Sequence, residues 1–344
     1  MAAAPQRPRS QGRLSLKQTL AGLKAAGEAT RLRVLALLAQ GELNVKDLTR
    51  VLGQSQPRIS RHLRLLVEAG LVERFREGSW VFFRLGHGDS ARIARSLVEG
   101  LLTDDPVLQR DRARADSVKR ERAEAAQAFF GAHAREWDAI RKLHVAEDEV
   151  ETAMLAALGE GPFDFLVDLG TGTGRMLELF AGNIRRGLGL DINRDMLAYA
   201  RAKLERARLD HCQVRQGDLF SLPVADAEAD AVVLHQVLHF LDDPAAALTE
   251  AARILKPGGR LLVVDFAPHE LEHLRDTFAH QRLGFGLEQM RTWLEEAGLR
   301  LKQQRDLRPG RYSGPGKLTV SLWLAERGVE TQAGRSAPRL EAAQ

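Results

Sequence analysis

VDLGTGTGR, residues 167–175, joins an apolar run to a turn with glycine at 170, 172 and 174. The run reads as the end of a buried strand. Glycines in alternate positions read as a turn whose backbone approaches a ligand closely, and a nucleotide-like molecule suits such a place. The surrounding chain agrees. FDFLVDLG, RRGLGLDI, CQVRQGD, ADAVVLHQ and GRLLVVDF are short Val- and Leu-rich runs, with helical stretches such as RDMLAYARAKLERA and DPAAALTEAARIL between them. This alternation predicts a doubly wound parallel sheet. A further helix, EQMRTWLEEAG, and two strands, LRLKQQRDL and KLTVSLWLAE, predict an antiparallel hairpin at its far side.

The 344 residues have room for two domains with separate cores, and 44% hydrophobic with 28% charged residues is an ordinary globular composition. No apolar run reaches the length of a membrane span, and MAAAPQRPRSQGR has no apolar stretch behind its basic residues. A cytoplasmic protein with no membrane partner is expected. Cys212 is the only cysteine, which excludes a disulfide framework within the chain and a thiolate metal cluster. Charge is uneven. Residues 1–102 hold 17 Lys and Arg against 8 Asp and Glu, whereas the rest hold 33 against 38. A basic front suggests a polyanionic partner for that part alone.

Five segments are expected: a disordered tail over 1–15, a helical domain closed by a β-ribbon over 16–102, a helical linker over 103–150, the alternating domain over 151–327, and a second disordered tail over 328–344. The linker is highly charged and lacks glycine and proline from Val107 to Phe130, which predicts a long exposed helix that bridges domains or pairs with a partner. In the front domain, SQPRISRHLRLLVEAG predicts a helix capped by Ser55, with Pro57 in its first turn and Ile59, Leu63, Leu66 and Val67 as the buried stripe. Gln56, Arg58, Arg61 and His62 are then left outward near its start, as a recognition helix requires. LVERFREGSWVFFRL alternates on either side of Glu77-Gly78 and predicts a hairpin with Arg74 and Arg76 free to meet phosphates.

SQPRISRHLRLLVEAGLV followed by FREGSWVFFRL makes residues 16–90 resemble the winged helix-turn-helix of the ArsR family of bacterial repressors, which act as dimers. The resemblance implies double-stranded operator DNA as partner, contacts from Ser55, Gln56, Arg58, Ser60, Arg61, His62, Arg74 and Arg76, and a homodimer. A winged helix used only for protein contacts is the alternative. Metal-sensing members carry Glu-Leu-Cys-Val-Cys-Asp-Leu before the recognition helix, whereas this chain has ELNVKDL, with Asn44 and Lys46 at the cysteine positions. An ammonium repels a cation and an amide binds soft metals poorly, so no metal is expected there.

In the back domain, Arg175 breaks the Gly-x-Gly-x-x-Gly register of a dinucleotide fingerprint. Gly-x-Gly-x-Gly is closer to an S-adenosylmethionine-binding turn. With LKPGGRLLVVDF at 255–266, residues 150–327 resemble the class I methyltransferases. The fold class expected is therefore α/β plus an all-α winged helix: an N-terminal winged helix-turn-helix, a helical linker and a C-terminal Rossmann-like, seven-stranded methyltransferase fold. The resemblance implies an S-adenosyl-L-methionine or S-adenosyl-L-homocysteine ligand held by Asp168, Gly170, Thr171, Gly172, Asp191, Ile192, Asp218, Leu219 and His235. Asp191 is placed for the ribose hydroxyls, Asp218 for the adenine amino group, and Asp168 for the ligand's ammonium or to brace the turn. Gln236 lines the same strand exit, and FFGAHAREWDAIRKL resembles the flap over the methionine end, with Trp137 and Arg141 contributing.

His235, His239, Asp265 and His269 are candidates for a general base, and spacing singles out none of them. HELEH at 269–273 matches a zinc-protease motif, yet it follows the fifth strand of a domain assigned to another fold, so lining or surface histidines are expected. An arsenic methyltransferase would need several thiols. Three readings of the whole chain remain: a regulator whose methyltransferase-like domain senses an S-adenosyl ligand, an active small-molecule methyltransferase with a fused DNA-binding domain, and an inert DNA-binding scaffold. The first is favoured, because it explains the missing cysteines by moving the effector site to the new domain.

Overall fold

A computed structural model describes residues 14–77, 80–86, 88–135, 137, 147–309 and 318–328. Nearly all of both expected tails lies outside these residues. The chain forms two compact units. One comprises residues up to Ala128 together with His269–Leu283, and the other Phe129–Pro268 together with the chain from Gly284 onward.

The first unit opens with α1 (Leu16–Ala26), started by a capping box between Ser15 and Gln18. It continues through α2 (Ala29–Leu38), β1 (Leu43–Asn44), α3 (Val45–Leu52), α4 (Gln56–Glu68), β2 (Val72–Glu77), β3 (Trp80–Leu85) and α5 (Ala91–Glu99). Gly53, in the left-handed region at φ 63°, closes α3 and frees the chain to turn into α4. Ile59, Leu63 and Leu66 are buried to within 1% and meet Leu48 and Val51 of α3 in one core. β2 and β3 form the expected hairpin, and β1 adds a third antiparallel strand beside β3.

α6 (Pro106–His133) is the long helix the linker composition predicts, but it is not simply exposed. Leu108, Asp111, Ala115 and Val118 recur along one face and are buried, the last two within the winged-helix core. Arg33 forks onto Asp111 at 2.6 and 2.7 Å, so the charge on that face is paired. A stripe that mixes leucine and valine with alanine and aspartate, in a helix dense with charge, has little hydropathy contrast, so periodicity does not single it out.

The second unit contains α7 (Glu147–Leu158), β4 (Leu166–Leu169), α8 (Arg175–Phe180), β5 (Gly187–Asp191), α9 (Arg194–Arg206), β6 (Cys212–Gln216), β7 (Ala229–His235), α10 (Pro244–Ile254) and β8 (Leu255–Phe266). α11 (His273–Phe278) falls in the segment that packs with the first unit, and α12 (Leu287–Glu296), β9 (Leu299–Leu307) and β10 (Val320–Arg327) complete the second. The sheet order is β6-β5-β4-β7-β8-β10-β9, with five parallel strands and β10 antiparallel to both neighbours. This is the seven-stranded Rossmann-like fold. Its central strands are covered on both faces, which is why Leu166, Val167, Val232, Val233 and Leu234 are all fully buried. Strand order reverses at β4, which pairs with β5 on one side and β7 on the other, so a crevice opens at their carboxyl ends. Cys212 is buried at the start of β6, and burial pushes its thiol up to about 11.

Candidate ligand and nucleic-acid sites

The glycine turn lies at that crevice. Gly170, Gly172 and Gly174 adopt φ of 71°, 51° and 81°, a region that costs other residues dearly. Space is also short, since a Cβ on Gly170 would come within 2.5 Å of Val237. The N–H groups of Gly170 and Thr171 both donate to Leu190 O, at 2.8 and 3.0 Å, which holds the turn against β5. Gly189 makes that approach possible, because a side chain there would meet Thr171 at 2.5 Å. Thr171 Oγ1 donates to Asp168 Oδ2 at 2.6 Å, so the buried Asp168 braces the turn from the strand side. Arg175, the residue that breaks the dinucleotide register, opens α8 and forks onto Glu151.

Asp191 ends β5 with each oxygen on a backbone donor. Oδ2 accepts from Gly172 N at 2.9 Å and Oδ1 from Asn193 N at 2.8 Å. Each oxygen keeps a second lone pair for a hydroxyl. Burial raises its carboxyl above the ordinary value, against the opposing pull of the Asn193, Gly172 and Ile192 N–H groups. Ile192, beside it, is 47% exposed. Asp218 is exposed after β6, with Oδ1 accepting from Phe220 N, and Leu219 is buried behind it. His235 ends β7 and is buried. Gln236 follows at φ 55°, a strained conformation for a residue with a side chain, and its backbone N–H donates to Val264 O at 2.7 Å.

An aromatic group stands over the turn. Phe130 meets Trp137 and Phe240 edge-on at centroid distances of 5.2 and 4.8 Å, and a Cβ on Gly172 would lie 3.6 Å from Trp137 Nε1. Sequence reasoning singled out Trp137 but not Phe130 or Phe240. The signal was present in FFGAHAREWD, where an aromatic pair precedes the tryptophan. Arg141 lies outside the described residues.

Of the general-base candidates, the fold brings two together. His239 Nδ1 lies 2.7 Å from Asp265 Oδ1, both residues are buried, and Asp265 also accepts from the N–H groups of His239 and Phe266. A carboxylate on Nδ1 sets the imidazole's tautomer, with Nε2 as the basic nitrogen. His269 is instead in the segment of the first unit, where its Nδ1 accepts from Leu271 N. The HELEH string is not one helix, since α11 begins only at His273. Among the described residues no group of three or more His, Cys, Asp or Glu is arranged to hold a metal ion.

In the first unit, Gln56, Arg58, Ser60 and Arg61 are exposed on the first turns of α4, and Arg74 and Arg76 are exposed on β2. Ser55 is the N-cap of α4, acting through its carbonyl, which accepts from Arg58 N and Ile59 N, and not through its hydroxyl. His62 departs from the outward position read from the helix. Its side chain is only 12% exposed, with Nδ1 3.5 Å from Glu28 Oε2, and burial holds its pKa below the ordinary value. Glu28 caps α2, and its charge opposes that shift without overcoming it, so the imidazole is largely turned from solvent and burial disfavours its charged form. Asn44 caps α3 by accepting from Asp47 N at 2.9 Å, which gives this cysteine-replacing residue a structural role.

Two stretches of the chain match known proteins. Residues 28–74 match the family model described as bacterial regulatory protein, arsR family, and residues 167–263 match that of a methyltransferase domain. Over 77 residues the chain is 51% identical to the arsenical resistance operon repressor of Escherichia coli strain K12, covering 22% of this chain and 66% of the repressor. Over 98 residues it is 38% identical to a Mycolicibacterium smegmatis protein described as "Probable S-adenosylmethionine-dependent methyltransferase", covering 28% and 36% of the two chains. The solved YcgJ protein of Bacillus subtilis superposes with a TM-score of 0.45 at 18% identity, over 53% of this chain and 99% of that one. The chain spans about a third of the length of the first curated relatives it matches. No described helix is long and apolar enough to cross a membrane.

Proposed function

We propose that this chain, which joins an ArsR-type DNA-binding domain to an S-adenosylmethionine-dependent methyltransferase domain, is a homodimeric transcriptional regulator. Its effector is S-adenosylhomocysteine or S-adenosylmethionine, and the regulated genes serve methionine and adenosylmethionine recycling. One observation carries the reading. Residues His269–Leu283 follow β8 of the methyltransferase fold, yet pack within the DNA-binding unit. Two domains merely linked in sequence need no such exchange. The pocket groups support the ligand class: three left-handed glycines, Asp191 fixed at the strand end, and Asp218 beyond the next strand. Leu16, Leu20 and Leu23 lie on one face of α1 and are 77%, 45% and 45% exposed, an apolar stripe that suits a second copy of the chain.

The test is affinity for the DNA upstream of the protein's own gene, followed by fluorescence anisotropy at one salt concentration without ligand and with each S-adenosyl ligand. A severalfold shift with one ligand is expected, since a coupling of about 1–3 kcal/mol changes affinity roughly 5- to 150-fold. Equal affinity in all three conditions rejects the effector role.

Acid should weaken ligand binding in a defined window. Asp191 must be ionised to accept from both ribose hydroxyls, and burial raises its pKa. Affinity therefore falls on acidification before the ordinary carboxylate range, about pH 4, is reached. Calorimetric titration at descending pH checks this, and Asp191→Asn should flatten the profile. A wild-type affinity unchanged down to about pH 4 would remove Asp191 from the pocket.

The His239–Asp265 pair favours a second reading, an active methyltransferase in which His239 takes a proton from the acceptor. Methyl transfer from a sulfonium is an in-line displacement, so the protein's share is chiefly orientation. Turnover of methyl-labelled S-adenosylmethionine with cell extract supports the enzyme. Tight preference for the demethylated ligand supports the receptor.

A further inference from the structure

The segment His269–Leu283 enters and leaves through a narrow base. Ala267 N donates to Thr319 O, Phe285 N to Phe266 O and His269 N to Leu283 O, at 3.0, 2.9 and 3.0 Å. Gly284, at φ 89°, is required there, since a Cβ would lie 2.2 Å from Ala267 O. Beyond the base, two arginines of the segment engage the wing hairpin. Arg282 is 2% exposed, its Nη1 donates to Glu42 Oε2 at 2.8 Å, and its guanidinium lies 4.5 Å from the centre of the Phe82 ring. Arg275 sits 4.3 Å over Trp80. Trp80 and Phe82 both belong to β3.

A buried arginine is costly unless its charge is paired and its face stacked, and Arg282 has both. Glu42 also lies 3.6 Å from Arg84 Nη1, and Arg84 Nη2 reaches Glu73 on β2 at 3.3 Å. Charges of alternating sign thus run from the segment across β3 to the strand that carries Arg74 and Arg76. At the other end, the segment begins four residues after Asp265.

We propose that His269–Leu283 is a clamp on the wing, through which occupancy of the S-adenosyl pocket sets the pose of β2 and β3 on DNA. The mechanism rests on the ligand-responsive reading above. Strand β8 carries Asp265 and continues directly into the clamp, so a change at its carboxyl end is passed to Arg275 and Arg282 along a short, hydrogen-bonded base. The wing's phosphate-facing arginines move with the hairpin they stand on.

The test uses the full-length protein with paired replacement of Arg282→Met and Glu42→Gln, which removes both charges and leaves neither buried alone. Arg282→Lys, which keeps the charge and loses the planar fork, is the second variant should the pair fail to fold. Hydrogen exchange without ligand is the first readout. Faster exchange of residues 80–85 and 269–283 in the variant is expected, and unchanged protection of β3 overturns the clamp whatever the ligand does. Operator affinity with and without S-adenosylhomocysteine is the second, beside calorimetric ligand affinity. The variant should bind the ligand within about 2-fold of wild type, while its ligand-linked change in DNA affinity shrinks from several-fold towards none. A full ligand response in the variant overturns the proposal. A wild type whose DNA affinity ignores the ligand, with β3 exchange still faster in the variant, rejects the effector reading and leaves the segment a structural brace.

Discussion

Asp191→Ala is expected to weaken S-adenosylhomocysteine binding about 100-fold, from the loss of two hydrogen bonds to a charged acceptor at about 1.5 kcal/mol or more each. The substitution acts twice. It removes the acceptor offered to the ribose, and it releases Gly172 N and Asn193 N, which the carboxylate holds at 2.9 and 2.8 Å. Asp191→Asn separates the effects, because one amide oxygen remains and half of the turn's bracing is kept. Its loss should be nearer 10-fold. Isothermal titration measures both, and operator affinity of the ligand-free protein serves as the control that must not move. Unchanged ligand affinity in the alanine variant would remove the pocket assignment.

Arg58→Ala and Arg61→Ala should each weaken specific operator binding by about 1–3 kcal/mol, roughly 5- to 150-fold, if their guanidinium groups read base edges. Both stand exposed on the first turns of α4, whose buried face is complete without them, so folding and ligand affinity should be unchanged. Arg74→Ala is the contrast. A phosphate contact carries no sequence information, so its loss should weaken specific and non-specific DNA alike and lower the salt dependence by about one ion. His62→Ala should have little effect, because that imidazole is turned onto Glu28. Anisotropy on operator and scrambled DNA over a salt series distinguishes these outcomes. Full operator affinity in the Arg58 and Arg61 variants would show that α4 does not read this DNA.

The amino-acid sequence by itself determined what short-range rules govern. Three glycines in alternate positions specify a turn that only φ above zero allows, and all three have it. Short Val- and Leu-rich runs separated by helical stretches specify the parallel sheet, and the spacing of Ile59, Leu63 and Leu66 specifies the buried face of α4. Asp191 is different, since its place in the ligand site is implied by the resemblance to the class I methyltransferases and by no short-range rule.

Tertiary structure alone decided the rest. The pairing of His239 with Asp265 joins residues 26 apart, and that of Arg33 with Asp111 on the buried face of α6 joins residues 78 apart. The clamp depends on Arg282 reaching Glu42 over 240. No local pattern marks these contacts. An arginine bound for a buried ion pair carries the same side chain as one bound for solvent, and only the path of the chain brings its carboxylate within reach.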